Sequence, residues 1–167
     1  CRAVGLPAVT YGAPGMGCQV EGELLPQTSP FMSLRFRLRG GEWQEIHTHL
    51  TGSYNLQNVL AAVAVGIHFG VSVEQAARAV AAYQPTNNRS QWMRTERNEL
   101  IVDAYNANPT SMKAALDNMA LMQHAHKMLI LGEMRELGEA SAEEHRRVAA
   151  QAQQLGCDAE WLVGEAF

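Results

Sequence analysis

The run Leu100-Ile101-Val102-Asp103, followed by Ala104-Tyr105-Asn106-Ala107-Asn108-Pro109, constrains this chain more than any other stretch. A short apolar segment ending in an acid, a polar turn with Asn before Pro, and a long amphipathic segment specify strand, loop and helix of an α/β unit. In open α/β sheets, ligands bind beyond the carboxyl ends of the strands, where loops lead into helix N-termini carrying free N–H groups and partial positive charge. Asp103 stands at such a strand end, and its carboxylate is suited to accept hydrogen bonds from a ribose diol. The alternative is an acid that ends the strand and organises the turn. Asn108 reads as an N-cap, with Pro109 at the first helical position and the Asn side-chain oxygen free to satisfy an unpaired N–H.

Downstream, Met112, Ala115, Leu116, Met119 and Met122 mark a helix that packs on a sheet, with the methionines as core filler. Lys127 to Leu131 reads as a buried strand, and Gly132-Glu133-Met134-Arg135-Glu136-Leu137-Gly138 leaves its carboxyl end as a second candidate loop. Ser141-Ala142-Glu143-Glu144 has the pattern that caps a helix, here running through Leu155 to a stop at Gly156, and Trp161 to Val163 supplies another strand. This β-α-β-α-β order predicts a parallel, Rossmann-like sheet.

Upstream, Met32 to Leu38 alternates apolar residues with Ser33, Arg35 and Arg37. Gly40-Gly41 then offers a turn before Glu42 to Leu50, which predicts a β-hairpin with one buried face. His47 and His49 share a strand face without a third ligand at useful spacing, so they read as sheet histidines rather than a metal pair. Cys1 to Pro30 reads as short strands and loops. Within it Gly12-Ala13-Pro14-Gly15-Met16-Gly17 lacks the strand-to-helix context of a phosphate loop.

Leu56, Val59, Leu60, Val63, Ala64 and Ile67 fall at helical spacing, Gly70 stops that helix, and Ser72-Val73-Glu74-Gln75 is a capping box for a second with Val73, Ala76, Ala77 and Val80 inward. At the polar entry to the pair, Asn55 and Asn58 lie three apart on one side of the first turn. Each offers an amide donor and acceptor, as a purine edge requires, and simple capping is the alternative. Gln84-Pro85-Thr86-Asn87-Asn88 is the best domain boundary. Arg89 follows it, able to reach a phosphate with a planar charged fork or to pair with a local carboxylate.

With 167 residues, 47% hydrophobic and 18% charged, the chain can bury a real core as one medium or two small domains. A net charge of -4 argues against a general nucleic-acid surface, and Arg35, Arg37 and Arg39 read as a solvated strand face, so any phosphate binding is local. The most apolar run, Val59 to Ile67, is too short for a bilayer, and the N-terminus has no signal pattern, so a soluble chain without a membrane span is expected. Cys1, Cys18 and Cys157 are odd in number, far apart and without metal spacing, which points to a reducing cytoplasm. The chain starts without an initiator methionine and stops just after a strand, so a piece of a longer protein is expected.

Four stretches taken together resemble the Mur ligases: Gly52-Ser53-Tyr54-Asn55-Leu56-Gln57-Asn58 ahead of an alanine-rich helix; Asn88-Arg89; Asp103 through Met112; and Leu131 through Gly138 with Ser141 and His145. The resemblance runs in register from about Thr48 to the C-terminus, and its Tyr-Asn-Ala-Asn and Glu-Leu-Gly loops are most similar to the branch that adds D-alanyl-D-alanine to UDP-N-acetylmuramoyl-tripeptide. It implies an α/β fold in which residues 1–84 are the β-hairpin and helix-pair end of a central ATPase domain and residues 85–167 a truncated Rossmann-like C-terminal domain. It implies a cytoplasmic, ATP- and magnesium-dependent amide ligase of peptidoglycan synthesis, working through an acyl phosphate. The sequence does not fix the oligomeric state, and a monomer is the default expectation. The resemblance puts Asn55 and Asn58 at the nucleotide base, Arg89 at the phosphates and Asp103 at the ribose. Asn106, Asn108, Glu136 and Ser141 fall along the dipeptide or peptide end.

A Walker-type phosphate loop needs Gly-Lys before Ser or Thr, whereas the only lysines are Lys113 and Lys127, neither after glycine. The family's phosphate loop, magnesium ligands and modified lysine are therefore expected upstream of Cys1. No catalytic residue or metal ligand is assigned here, and the chain alone is expected to be inactive. Two other readings stand beside this one: a sibling ligase of the superfamily, such as a diaminopimelate-adding enzyme or folylpolyglutamate synthase, and a noncatalytic nucleotide- or partner-binding module.

Overall fold

The computed structural model describes residues 8–26 and 30–167; of the stretch from Cys1 to Pro30 read as short strands and loops, residues 1–7 and 27–29 fall outside them. The chain divides into two compact units, one of Cys1–Thr86 with Ser90–Leu100 and one of Asn87–Arg89 with Ile101–Phe167.

The first unit carries β1 (Tyr11–Gly12), β2 (Val20–Leu24), β3 (Phe31–Leu38) and β4 (Gln44–Thr51), which form a sheet in that order. β1 and β2 are parallel, and the β2–β3 and β3–β4 pairs are antiparallel. The expected hairpin is present, with Gly40 at φ 80° in the turn. The Gly12-to-Gly17 segment leaves β1 and returns into β2 rather than into a helix, which excludes a phosphate loop of the strand-to-helix kind.

Period-two patterning turns Met32, Leu34 and Phe36 of β3 and Ile46 of β4 inward. α1 (Asn55–His68) and α2 (Val73–Ala82) supply Val59, Leu60, Val63, Ala64 and Ala76 to the same core. A Cβ at Gly22 would stand 2.4 Å from Leu60 Cδ2, so a glycine in β2 is what admits α1 this close. Ser72 caps α2 through the expected box, its hydroxyl accepting from Gln75 N–H while the Gln75 side chain accepts from Ser72 N–H.

The outer sheet face is more structured than a solvated arginine row. Arg35 pairs with Glu23 and Arg37 with Glu21 across the β2–β3 register, and both guanidinium groups lie over the Trp43 ring at 4.6 and 4.5 Å. Arg39 donates to the Gly17 carbonyl at 3.1 Å. His47 and His49 are engaged separately, with Ser33 Oγ at 2.9 Å and the Ala81 carbonyl at 3.1 Å.

β5 (Gln91–Arg94) and β6 (Glu99–Val102) form a two-stranded sheet closed by Thr95 and Asn98, and the division between the units runs through β6. In the second unit α3 (Pro109–Leu121), β7 (Met128–Gly132), α4 (Ser141–Gln154) and β8 (Ala159–Val163) follow, with β7 and β8 parallel. Leu116, Leu129, Met134, Val148 and Ala152 form the core, with Met112 and Met119 packed against it.

β7 and the start of α4 also depart from the sequence pattern. β7 is not buried throughout: Leu129 faces the core, while Ile130 is 63% exposed, because the strand is covered on one face only. Ser141 does not cap α4 but is its first residue. A 3-10 turn over Gly138–Ala140 precedes it, Ala140 stands at the cap position, and no side chain accepts there. Among the described residues no helix is long and apolar enough to cross a membrane.

Candidate functional site

The candidate residues divide between the units, and each group has its own local geometry. In the first unit, Asn55 is buried at the first position of α1. Its amide nitrogen donates to the Thr51 carbonyl at 2.8 Å, and its oxygen accepts from the Asn58 amide at 3.0 Å. Asn55 therefore fastens the helix entry and orients Asn58, which is exposed. Ser90 closes the same corner: its carbonyl accepts from Thr51 Oγ1 at 3.2 Å, and its hydroxyl is hydrogen-bonded to that of Tyr54.

In the second unit, Asn88 adopts φ 55°, a left-handed conformation that Asn tolerates better than most residues. Its carbonyl accepts from Ala104 N–H at 2.8 Å, joining the Arg89 segment to the loop that begins at Asp103. Arg89 then lies over the Tyr105 ring, with Cζ 3.6 Å from the ring centroid. Both side chains and Asp103 are exposed. The structure thus brings Arg89 and the Asp103 loop together, through a stack that no spacing in the sequence announces.

Asn108 is the N-cap of α3 as expected: its Oδ1 accepts from Ser111 N–H at 3.0 Å, and Ser111 Oγ accepts from Asn108 N–H at 3.1 Å. Its role is thereby structural at one end, while Asn106 stays exposed in the loop. Ala107, between them, packs on the second core together with Leu137, so the loops after β6 and β7 are rooted in one apolar cluster.

The loop after β7 is held at its start by Glu133 N–H donating to the Val163 carbonyl at 2.9 Å. Gly164, next along, has φ 127°, and a Cβ there would lie 2.5 Å from Glu133 Oε2, so conformation and space both call for glycine. Glu136 is exposed and takes φ 65°. Ser141 is half-buried, its carbonyl accepting from His145 one turn later. Sequence reasoning gave His145 no role, although it is buried with both ring nitrogens engaged.

Charge is tuned away from these loops. Lys127 N–H, and secondarily the His126 ring, hold the Asp158 carboxyl below the usual carboxylate range at the amino end of β8. Burial pushes the Cys157 thiol up, away from the reactive thiolate; Cys18 and Cys157 are both free. Among the described residues no three His, Cys, Asp or Glu side chains are placed to hold a metal ion. In the second unit an exposed guanidinium, Arg89, is joined through the Asn88–Ala104 hydrogen bond to the loop that carries the exposed Asp103 carboxylate.

Residues 88–166 match the family described as Mur ligase, glutamate ligase domain. The UDP-N-acetylmuramoyl-tripeptide–D-alanyl-D-alanine ligase of Bacillus subtilis is 39% identical over 103 residues, covering 60% of this chain and 22% of the relative. Its counterpart in Mycobacterium bovis is 36% identical over 138 residues, covering 78% of this chain and 27% of the relative. A crystal structure of MurF from Acinetobacter baumannii superposes with a TM-score of 0.76 at 30% identity, covering 93% of this chain and 33% of that one. The chain thus spans 22–27% of the length of these two relatives. It is α/β, with a parallel strand pair in its second unit. On sequence, fold and motif order together, the chain belongs to the Mur ligase family.

Proposed function

We propose that the full-length protein is an ATP-dependent amide ligase that adds D-alanyl-D-alanine to UDP-N-acetylmuramoyl-tripeptide in the cytoplasm. Residues 1–84 are the end of its central ATPase domain and residues 85–167 belong to its C-terminal domain. The observation that carries the reading is the Arg89 guanidinium, stacked on Tyr105 and tied through Asn88 and Ala104 to the Asp103 loop.

A carboxylate is a poor electrophile. Transfer of a phosphoryl group to its oxygen breaks the bond to ADP and creates a mixed anhydride. The dipeptide amine then attacks the acyl carbon, the amide bond forms, and phosphate departs with the C–O electrons. Arg89 neutralises phosphate oxygens in this scheme, and stacking on Tyr105 reduces the rotamer freedom lost on binding. Asp103 accepts hydrogen bonds from the ribose hydroxyls. Asn58, oriented by Asn55, presents an amide to the purine edge. Asn106, Asn108, Glu136 and Ser141 line the acceptor or the peptide end. Magnesium, when bound with ATP, would neutralise phosphate charge, and among the described residues no three His, Cys, Asp or Glu side chains are placed to hold it.

The test uses the full-length protein with UDP-muramoyl-tripeptide and either D-alanyl-D-alanine or single amino acids as acceptor. Product with the dipeptide alone is expected. Asp103→Ala should lower kcat/KM for ATP roughly ten- to hundredfold, the cost of losing hydrogen bonds to a charged group. Product with a single amino acid instead would assign a sibling ligase, and no turnover with any acceptor would favour a noncatalytic nucleotide-binding module.

A further inference from the structure

His145 of α4 is 1% exposed, yet the proposed reaction gives it no task. Both ring nitrogens are committed. Met134 N–H donates to Nε2 at 2.9 Å, and since a backbone amide only donates, Nε2 carries no hydrogen. Nδ1 holds the hydrogen and donates to the Ser141 carbonyl at 2.7 Å. The Phe167 ring closes the third side edge-on, with centroids 4.7 Å apart.

A leucine would fill this space without burying two polar atoms. An imidazole here is explained only by what its nitrogens hold. What Nε2 holds is the backbone of the loop after β7. Glu133 N–H is tied to β8 and Met134 N–H to α4, and two residues further on the chain turns at Glu136 through φ 65°. A non-glycine residue in that conformation persists where its surroundings impose it.

We propose that His145 is a positioning residue for the acceptor dipeptide. Through Met134 N–H it holds the loop over residues 133–138 in the conformation that sets Glu136 and Ser141 for the acceptor, without itself touching substrate. The assignment of the acceptor rests on the ligase reading above. The latch itself does not.

The experiment compares wild-type full-length protein with His145→Phe, which keeps an aromatic ring but no acceptor, and His145→Gln, whose amide oxygen accepts from Met134 N–H. Steady-state KM values for D-alanyl-D-alanine and ATP are measured beside hydrogen exchange of the peptide covering residues 133–138. His145→Phe should raise the acceptor KM and the loop exchange rate roughly tenfold each, as for one buried N–H left unpaired, with KM for ATP changed less than about twofold. His145→Gln should restore both to within about threefold of wild type. If His145→Phe does not fold, the Gln variant alone decides, and a loss beyond that range overturns the proposal. Unchanged loop exchange in His145→Phe overturns the latch. Faster exchange with an unchanged acceptor KM overturns the acceptor role. A wild-type protein that ignores the dipeptide removes the ligase reading and the acceptor role with it, while the exchange data still decide the latch.

Discussion

The two units enclose their apolar residues by different means. In the first, the inward rows of β3 and β4 are closed by α1 and α2, and the core is made almost entirely of strand and helix residues. In the second, the described core lies on one side of β7 and β8, leaving Ile130 and Trp161 of the other face 63% and 59% exposed. Around that thinner core the packing is completed by loop residues: Ala107, Leu137 and Phe167. The first core takes no loop residue. The second does, and the loops that supply Ala107 and Leu137 also carry Asp103, Asn106 and Glu136.

The largest effects should expose this difference. Phe36, wholly buried in the first core, should cost about 3–5 kcal/mol as Phe36→Ala, and Leu116, as buried in the second, about 2–5 kcal/mol as Leu116→Ala. Hydrogen exchange should then separate them. Leu116→Ala is expected to speed exchange across residues 103–108 and 133–138, while Phe36→Ala speeds it in α1 and α2 and leaves those loops as they were. Loops unaffected by Leu116→Ala would show that the core does not hold them.

A smaller effect sharpens the comparison, because the two units use the same local device. Ser72 with Gln75 and Asn108 with Ser111 are reciprocal boxes at the starts of α2 and α3. Ser72→Ala and Asn108→Ala should each cost about 1 kcal/mol in urea unfolding. Only Asn108→Ala should also loosen the loop that contains Asp103. Equal loop exchange in both variants would remove the distinction.

These boxes were legible in the sequence because both partners lie within one turn, as were the hairpin from its alternation and the helices from their spacing. What escaped depends on partners distant in sequence. His145 meets Met134 eleven residues earlier, and Arg89 meets Tyr105 across the Asn88–Ala104 bond; neither residue type nor spacing marks these pairs. Ser141 reads as a cap because a serine three residues before an acid resembles one, whereas the 3-10 turn ahead of it moves the cap to Ala140. The apolar run of β7 reads as buried because hydrophobicity does not reveal that only one face of a strand is covered.

The smallest expected effect lies at the amino end of the β7–β8 pair, away from the loops. Asp158 accepts from Lys127 N–H at 2.8 Å and meets the His126 ring at 3.3 Å, while its own N–H donates to the Lys127 carbonyl at 2.8 Å. The Lys127 bond first, and the His126 bond second, lower its pKa in the folded chain. A carboxyl depressed on folding binds its proton more readily when unfolded, so its contribution to stability is complete above the unfolded value, about 3.9, and disappears as pH falls through the lower folded value. Asp158→Asn should therefore be slightly less stable than the parent chain at pH 7, with the gap narrowing below about pH 4. Asn retains an acceptor oxygen for Lys127 N–H, and the carboxylate is exposed, which keeps the effect small. Urea midpoints of the two chains between neutral and acid pH measure it. A gap that widened on acidification would mean that the carboxylate is not favoured by folding, and that the amino end of the strand pair is held by its backbone bonds alone.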